Sequence, residues 1–326
     1  MSAALRIGPE PDLLDVQDVT VRFASKAGEL VAVEGASVSV RHGETVGLVG
    51  ESGSGKSTLA RCIVGLLRPD SGRILLHGED VADGRSRAQR RTAQIVFQDP
   101  YSSLNPRLSV RTTLTELLAV HGLARGAAAE RRCRELMALV GLPVAALGGY
   151  PNAFSGGQRQ RIAVARALAV EPDLVVADEP TSALDVSVQA TILALFEDLR
   201  SELGLGILMI SHNLAAIRHL CDRIAVMYLG RIVEIGSRAE IFGDARHPYT
   251  LALLAASPRI RQETGGTRVR LAGEPPSPAA KPSGCHFHPR CPRAEHRCSV
   301  EAPVLECAAG SRALVACHFR DERHTA

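Results

Sequence analysis

A glycine-rich turn between an apolar run and a helical segment most constrains what this chain can fold into. Residues 50–57 read Gly-Glu-Ser-Gly-Ser-Gly-Lys-Ser, and the apolar run 45–49 comes directly before them. Residues 58–67 have the apolar spacing of a helix. In a strand, turn and helix of this order, the glycines let backbone N–H groups converge, and the helix N-terminus adds partial positive charge. The turn therefore has the features of a phosphate-binding loop.

This loop predicts a nucleotide site with a magnesium ion. Lys56 is expected to reach the β- and γ-phosphates, and the Ser57 hydroxyl is expected to ligate Mg²⁺. The residues predicted to line the nucleotide are Gly50, Glu51, Ser52, Gly53, Ser54, Gly55, Lys56, Ser57 and Thr58.

The length of 326 residues allows one large domain with an appendage. No run of apolar residues approaches the 18 or so that span a bilayer, and the first residues lack the apolar core of a signal peptide. These features predict a cytosolic protein. The net charge of +3 is too small to argue by itself for nucleic acid as a partner.

The remaining patterns predict an α/β fold. Alternating apolar residues at 19–23 and 31–33 indicate an antiparallel β-layer before the loop. Further apolar runs indicate strands at 73–78, 95–97, 174–177 and 206–210. Because these strands alternate with helical segments, we expect a parallel sheet, with the helical residues 107–170 inserted as a subdomain.

Two carboxylates follow the predicted strand at 174–177. In a parallel sheet, Asp178 and Glu179 would lie at the C-terminal edge, where ligands bind. Asp178 is expected to hold Mg²⁺ through water, and Glu179 to polarise the attacking water. The alternative is that the two acids only end the strand.

A second helix start that could bind phosphate is the motif that makes the chain resemble a known family. Residues 154–158 read Phe-Ser-Gly-Gly-Gln and open a helical segment. Such a start alone could be a plain N-cap. Together with the other motifs, however, it makes residues 13–257 resemble the ATPase subunit of an ABC transporter, with Phe154 in place of the usual leucine. The resemblance implies a P-loop NTPase (RecA-like) core carrying the antiparallel β-subdomain and the inserted helical subdomain.

The resemblance also assigns roles to residues outside the phosphate loop. Gln98 corresponds to the Q-loop glutamine that contacts Mg²⁺, and His212 to the switch histidine at the γ-phosphate. Asp185 belongs to the D-loop at 182–185, which communicates between two ATP sites. Phe23 corresponds to the aromatic residue that stacks on adenine, although its alternation with its neighbours also suits simple core packing.

The resemblance implies that one ATPase subunit alone does not form a complete ATP site. Two ATPase subunits, identical or paralogous, pack head to tail, so that each ATP lies between one phosphate loop and the partner's signature segment. The signature residues are Ser155, Gly156, Gly157 and Gln158. Two membrane permease subunits and an extracytoplasmic substrate-binding protein complete such a transporter, which places this chain at the cytoplasmic face of the membrane.

The alternative interpretation, that the chain is an ABC ATPase acting on nucleic acid or ribosomes, is disfavoured. DNA-repair types need long coiled coils, and residues 50–155 leave no room for one; ribosome-acting types carry two ATPase domains in one chain.

Three segments narrow the class of transporter. Residues 99–107, 247–254 and 283–292 resemble segments of oligopeptide, dipeptide and nickel importers. The expected function is therefore ATP hydrolysis that drives peptide import. Import of nickel or another small solute is the alternative, and a redox-regulated ATPase that senses through its tail is another.

The cysteines divide into two groups. Cys62, Cys133 and Cys221 lie in apolar segments and are expected in the core. After a Pro-, Gly- and Ser-rich linker at 258–284, a Cys-rich extension runs from 285 to 326. Its candidate ligands for a 4Fe–4S cluster are Cys285, Cys291, Cys298 and Cys317. Zinc bound with nearby histidines, or a group of reduced thiols, are the other interpretations, and Cys307 lies outside the pattern.

Overall fold

The computed structural model describes residues 12–25, 28–99, 103–182, 184–257, 276–277 and 279–322. Most of the predicted linker (258–275 and 278), residues 100–102 after the Q-loop and residue 183 of the D-loop lie outside these ranges.

A four-stranded sheet forms the predicted antiparallel layer. Its long strands β1 (Leu14–Ser25) and β2 (Gly28–Val40) pair antiparallel over most of their length. Strands β4 (Ser71–Leu76) and β5 (Glu79–Asp80) extend it on the other side of β1. Alternate residues of β1 and β2 are buried, as period-2 patterning requires.

A second sheet carries the core of the described chain. Its strand order is β11-β12-β10-β9-β3-β8-β7-β6. The strands are β3 (Thr45–Val49), β6 (Ala93–Val96), β7 (Leu174–Asp178), β8 (Gly206–Ile210), β9 (Arg223–Tyr228), β10 (Arg231–Ser237), β11 (Glu306–Cys307) and β12 (Leu314–Val315). Strand β3 is parallel to both neighbours, and β3, β7 and β8 are buried at every residue. Strands covered on both faces explain the unbroken apolar runs in the sequence.

Helices cover this sheet and build the inserted subdomain. The described helices are α1 (Lys56–Ile63), α2 (Arg87–Thr92), α3 (Val110–Val120), α4 (Gly126–Leu139), α5 (Gly156–Leu168), α6 (Val186–Leu203), α7 (Leu214–Leu220), α8 (Arg238–Gly243), α9 (Pro248–Ala256) and α10 (His296–Val300). Helices α3, α4 and α5 share one apolar core that includes Leu114, Cys133 and Leu136. The predicted helical subdomain is thus present. No described helix has the length and apolar character needed to cross a membrane.

The sequence interpretation missed the antiparallel edge of the core sheet. Strands β9 and β10 correspond to two apolar runs joined by a tight turn at Gly230, whose φ is 91°. Strand β12 then pairs antiparallel with β10, Val315 lying opposite Glu234. The Cys-rich extension therefore continues the sheet of the ATPase core.

Candidate nucleotide-binding site

The phosphate loop lies at the C-terminal end of β3 and leads into α1. Helix α1 begins after Gly55, which has a φ of 103° and provides no side-chain cap. A Cβ at Gly55 would collide with the carbonyl of Ala32 on β2, so only glycine fits this close approach. A helix start without a side-chain cap suits an anion, because its N–H groups and dipole attract negative charge.

Lys56 is held inside the loop. Its side chain is buried, and Nζ donates to the carbonyl oxygens of Gly50 and Glu51, each at 2.8 Å, and to Ser54 Oγ at 3.2 Å. Burial lowers the pKa of the Lys56 ammonium, while nearby carboxylates, Glu179 foremost, act in the opposite direction. The loop thus presents a concentrated positive charge where a phosphate chain would enter.

Ser57 and Asp178 form a pair of oxygen donors suited to Mg²⁺. Ser57 Oγ donates to Asp178 Oδ1 at 3.1 Å, and Asp178 is buried at the end of β7. Burial raises the pKa of the Asp178 carboxyl, and the hydrogen bond from Ser57 lowers it by a smaller amount. A hydroxyl and a carboxylate are the ligand types that Mg²⁺ prefers, so the donor set fits the ion. Gln98, the third predicted ligand, is exposed beyond the end of β6.

Glu179 and His212 meet beside this pair. Glu179 Oε2 lies 3.1 Å from His212 Nδ1. The backbone of Glu179 has a φ of 47°, and its N–H donates to the Ile210 carbonyl at the end of β8. A non-glycine residue in this left-handed region is strained, and such strain is concentrated at functional sites. Its side chain is only 16% exposed, so the carboxylate has a fixed direction.

The signature segment makes its contacts with the D-loop and α6. The Ser155 side chain accepts from the Gln158 N–H, and the Gln158 side chain accepts from the Ser155 N–H, which forms a capping box at the start of α5. A Cβ on Gly157 would lie 2.5 Å from Val188 Cγ1, so the helix start packs tightly on α6. Asp185 is the N-cap residue of α6 and has an exposed side chain.

The remaining residues predicted to line the nucleotide include Phe23, Ser52, Gly53 and Thr58. Phe23 is 38% exposed on β1, which disfavours the core-packing alternative and leaves its ring open to a ligand. Ser52 and Gly53 are exposed at the loop tip, whereas Thr58 is half-buried in α1.

One set of contacts in the loop was not anticipated from the sequence. The Glu51 N–H donates to Tyr249 Oη at 2.9 Å, and the Glu51 carboxylate accepts two hydrogen bonds from Arg290 of the C-terminal extension. Arg290 lies 239 residues further along the chain. No spacing or periodicity in a single sequence signals such a contact.

The tail thiols do not support the predicted iron–sulfur cluster. Within the described ranges, no group of three or more His, Cys, Asp or Glu side chains is arranged to hold a metal ion. Burial, reinforced by neighbouring thiols, raises the pKa of the Cys317 thiol to about 11. Those neighbours are Cys285, Cys291 and Cys298. Cys307 is exposed, whereas Cys298 and Cys317 are buried. The predicted core cysteines Cys62, Cys133 and Cys221 are also buried.

Comparison with known proteins identifies the family. Residues 33–182 match the family described as "ABC transporter", and residues 233–298 match "Oligopeptide/dipeptide transporter, C-terminal region". The chain is 45% identical to the oligopeptide transport ATP-binding protein AppF of Bacillus subtilis, over 91% of this chain and 92% of that protein. The chain belongs to the ABC transporter family. It is an ATPase subunit of that family, as the sequence predicted.

Two further proteins extend the comparison. A probable peptide ABC transporter ATP-binding protein, y4tS of Sinorhizobium fredii, is 48% identical over 94% of this chain and 90% of its own length. The ABC fold is also similar to that of the ATP-binding cassette MJ0796, solved as a dimer in a post-hydrolysis state with ADP and Pi. That match has a TM-score of 0.61 and 28% identity, and covers 69% of this chain and 98% of the cassette.

Proposed function

We propose that this ABC ATPase drives the import of peptides. The observation that carries the proposal is the convergence of Lys56, Ser57, Asp178, Glu179 and His212 at one edge of the core sheet. The peptide class is supported by the C-terminal match at residues 233–298 and by relatives named as oligopeptide or peptide transport proteins.

In this proposal each residue acts on the triphosphate in a distinct way. Lys56 would exchange its carbonyl partners for β- and γ-phosphate oxygens, and Ser57, Asp178 and Gln98 would hold Mg²⁺. Glu179 accepts a proton from the attacking water, and His212, 3.1 Å away, contacts the γ-phosphate and orients the carboxylate. Phe23 stacks on the adenine. When bound, Mg²⁺ would supply positive charge against the charge that develops on the phosphate oxygens.

The signature segment completes the site from a second subunit. The Ser155 hydroxyl oxygen accepts from the Gln158 N–H, so its proton stays available to donate to a γ-phosphate. The N-termini of two helices would then bind the same triphosphate, and hydrolysis would release one of the two helices from it. The cassette MJ0796 is dimeric in its post-hydrolysis state with ADP and Pi, which supports a dimer for this chain. Asp185 is the N-cap residue of α6, the helix on which Gly157 packs, and it would couple the two ATP sites.

The proposed partners are a second ATPase subunit, two permease subunits and an extracytoplasmic substrate-binding protein, with this chain at the cytoplasmic face of the membrane. The test is reconstitution of the chain with these partners in proteoliposomes. Labelled peptides are expected to accumulate only with ATP, and Lys56→Ala is expected to abolish uptake. Accumulation of nickel without any peptide would contradict the peptide assignment and leave the ATPase assignment intact.

The iron–sulfur cluster stays a prediction with its own test. Its support lies in the sequence, which brings Cys285, Cys291, Cys298 and Cys317 together in one tail. Anaerobically purified protein should contain iron and absorb near 400 nm, and Cys291→Ser should lose both. Iron-free, colourless protein would exclude the cluster.

A further inference from the structure

Glu51, the second residue of the phosphate loop, is held at three points. Its N–H donates to Tyr249 Oη, and its carbonyl accepts from Lys56 Nζ. Its carboxylate accepts from both terminal nitrogens of Arg290, at 2.9 and 3.1 Å. Two parallel hydrogen bonds of this kind fix direction as well as distance. The backbone that cradles phosphate is therefore tied to the C-terminal tail, defined here as residues 279–322.

Arg290 is itself fixed in place. Its side chain is 5% exposed, and one terminal nitrogen donates to Tyr228 Oη at 3.3 Å. The guanidinium lies 5.9 Å from the ring centres of both Tyr228 and Phe287. Tyr228, Tyr249 and Phe287 pack together around it, with ring centres 4.5–5.5 Å apart. A guanidinium held by rings and a carboxylate has little freedom to leave its position.

The charge of Glu51 opposes the function of the loop. A carboxylate within a loop that binds phosphates repels the ligand unless a cation neutralises it. Lys56 Nζ already donates to the Glu51 carbonyl oxygen at 2.8 Å, so the carboxylate of the same residue lies near the lysine. Without Arg290, the freed carboxylate would compete with the phosphates for Lys56. Arg290 thus neutralises the repulsion that the Glu51 carboxylate would otherwise exert on the phosphates.

We propose that Arg290 is a positioning residue through which the tail sets the affinity of the phosphate loop for ATP, by neutralising and holding Glu51. The proposal is independent of the transported solute. It rests on nucleotide binding at the loop, which a titration of Lys56→Ala tests separately.

The experiment compares three variants of the full chain with the parent. They are Arg290→Met, Glu51→Gln and the double variant, and each is titrated with a fluorescent ATP analogue and assayed for kcat and KM. Arg297→Met is the matched control, because Arg297 also belongs to the tail but pairs with Glu301 on an exposed helix surface. Thermal denaturation establishes that each variant is folded.

The two single variants are expected to shift affinity in opposite directions. Arg290→Met should weaken ATP binding about tenfold, a typical size for coupling between sites. Its KM should rise while kcat at saturating ATP holds, since Glu179 and His212 are untouched. Glu51→Gln should tighten binding about threefold, because the repelling charge is gone and the Arg290 cation stays. The double variant should return to within about threefold of the parent, and Arg297→Met should match the parent.

Three results would overturn the proposal. The first is unchanged ATP affinity in folded Arg290→Met. The second is weaker binding in Glu51→Gln, and the third is a double variant as weak as Arg290→Met. Either of the last two would mean that the tail acts only as a structural support. Should Arg290→Met fail to fold, the sign of the Glu51→Gln shift decides the question by itself.

Discussion

Replacing Glu179 by Gln should separate ATP binding from ATP hydrolysis. Gln has nearly the same size, and its amide can keep a hydrogen bond to His212, now 3.1 Å from the carboxylate. The strained backbone at φ 47° is held by the N–H bond to Ile210, which the change does not touch. The variant therefore loses the proton acceptor and the negative charge, and little else.

The magnitude follows from the role assigned to the carboxylate. A positioned general base contributes about 10²- to 10⁴-fold. We expect kcat to fall about 10³-fold, which corresponds to about 4 kcal/mol of transition-state stabilisation. ATP affinity should hold, because the hydrogen bonds of Lys56 go to Gly50, Glu51 and Ser54.

The assay is phosphate release under single-turnover conditions, combined with size-exclusion chromatography in ATP. The variant should accumulate as an ATP-bound dimer. Glu171→Gln is a matched control, since Glu171 is another glutamate with positive φ, 54°, but it pairs with Arg91 and Arg132 at the surface. The control should keep the parent rate. A Glu179→Gln rate within about tenfold of the parent would show that Glu179 is not the base.

Three further predictions concern the loop, the signature and the tail. Lys56→Ala should lose ATP binding in a titration, because the buried ammonium is the charge nearest the expected phosphates; unchanged affinity would contradict its role. Gly157→Ala should lower ATPase activity at least tenfold without unfolding the chain, because a Cβ 2.5 Å from Val188 Cγ1 moves the signature helix start; full activity would show that this packing is not needed. Burial raises the pKa of Glu240, but hydrogen bonds from residues including Ser311 outweigh it and bring the pKa from 4.5 to about 2. A carboxyl with a lowered pKa stabilises the fold above pH 4.5 and loses this effect as the pH falls towards 2. After allowance for solvent screening, Glu240→Gln should cost about 1 kcal/mol at pH 7 and less than half of that at pH 3 in urea unfolding, and an equal cost at both values would contradict this.

The phosphate loop and its sheet were predictable because their signals are local. The apolar runs at β3, β7 and β8 are unbroken in the sequence since both faces of those strands are covered, and residues 50–57 identify the loop by themselves. The pairing of Ser57 with Asp178 followed from a topological rule, that parallel strands end at one edge.

The features that were missed depend on contacts between distant segments. β12 joins the core sheet through a short pairing with β10, which is too brief to leave a pattern in the sequence. The Glu51–Arg290 pair joins a residue of the phosphate loop to a tail arginine that alone looks like an ordinary surface charge. Cysteine spacing, likewise, gives the number of thiols in a tail but not the distances between them.

The central claim is that ATP is hydrolysed between two subunits. It is tested most directly by measuring ATP turnover per chain over a wide range of protein concentration, with the oligomeric state followed by light scattering. Turnover per chain is expected to rise with the fraction of dimer and to vanish where only monomer is present. A constant, full rate in strictly monomeric protein would contradict the account.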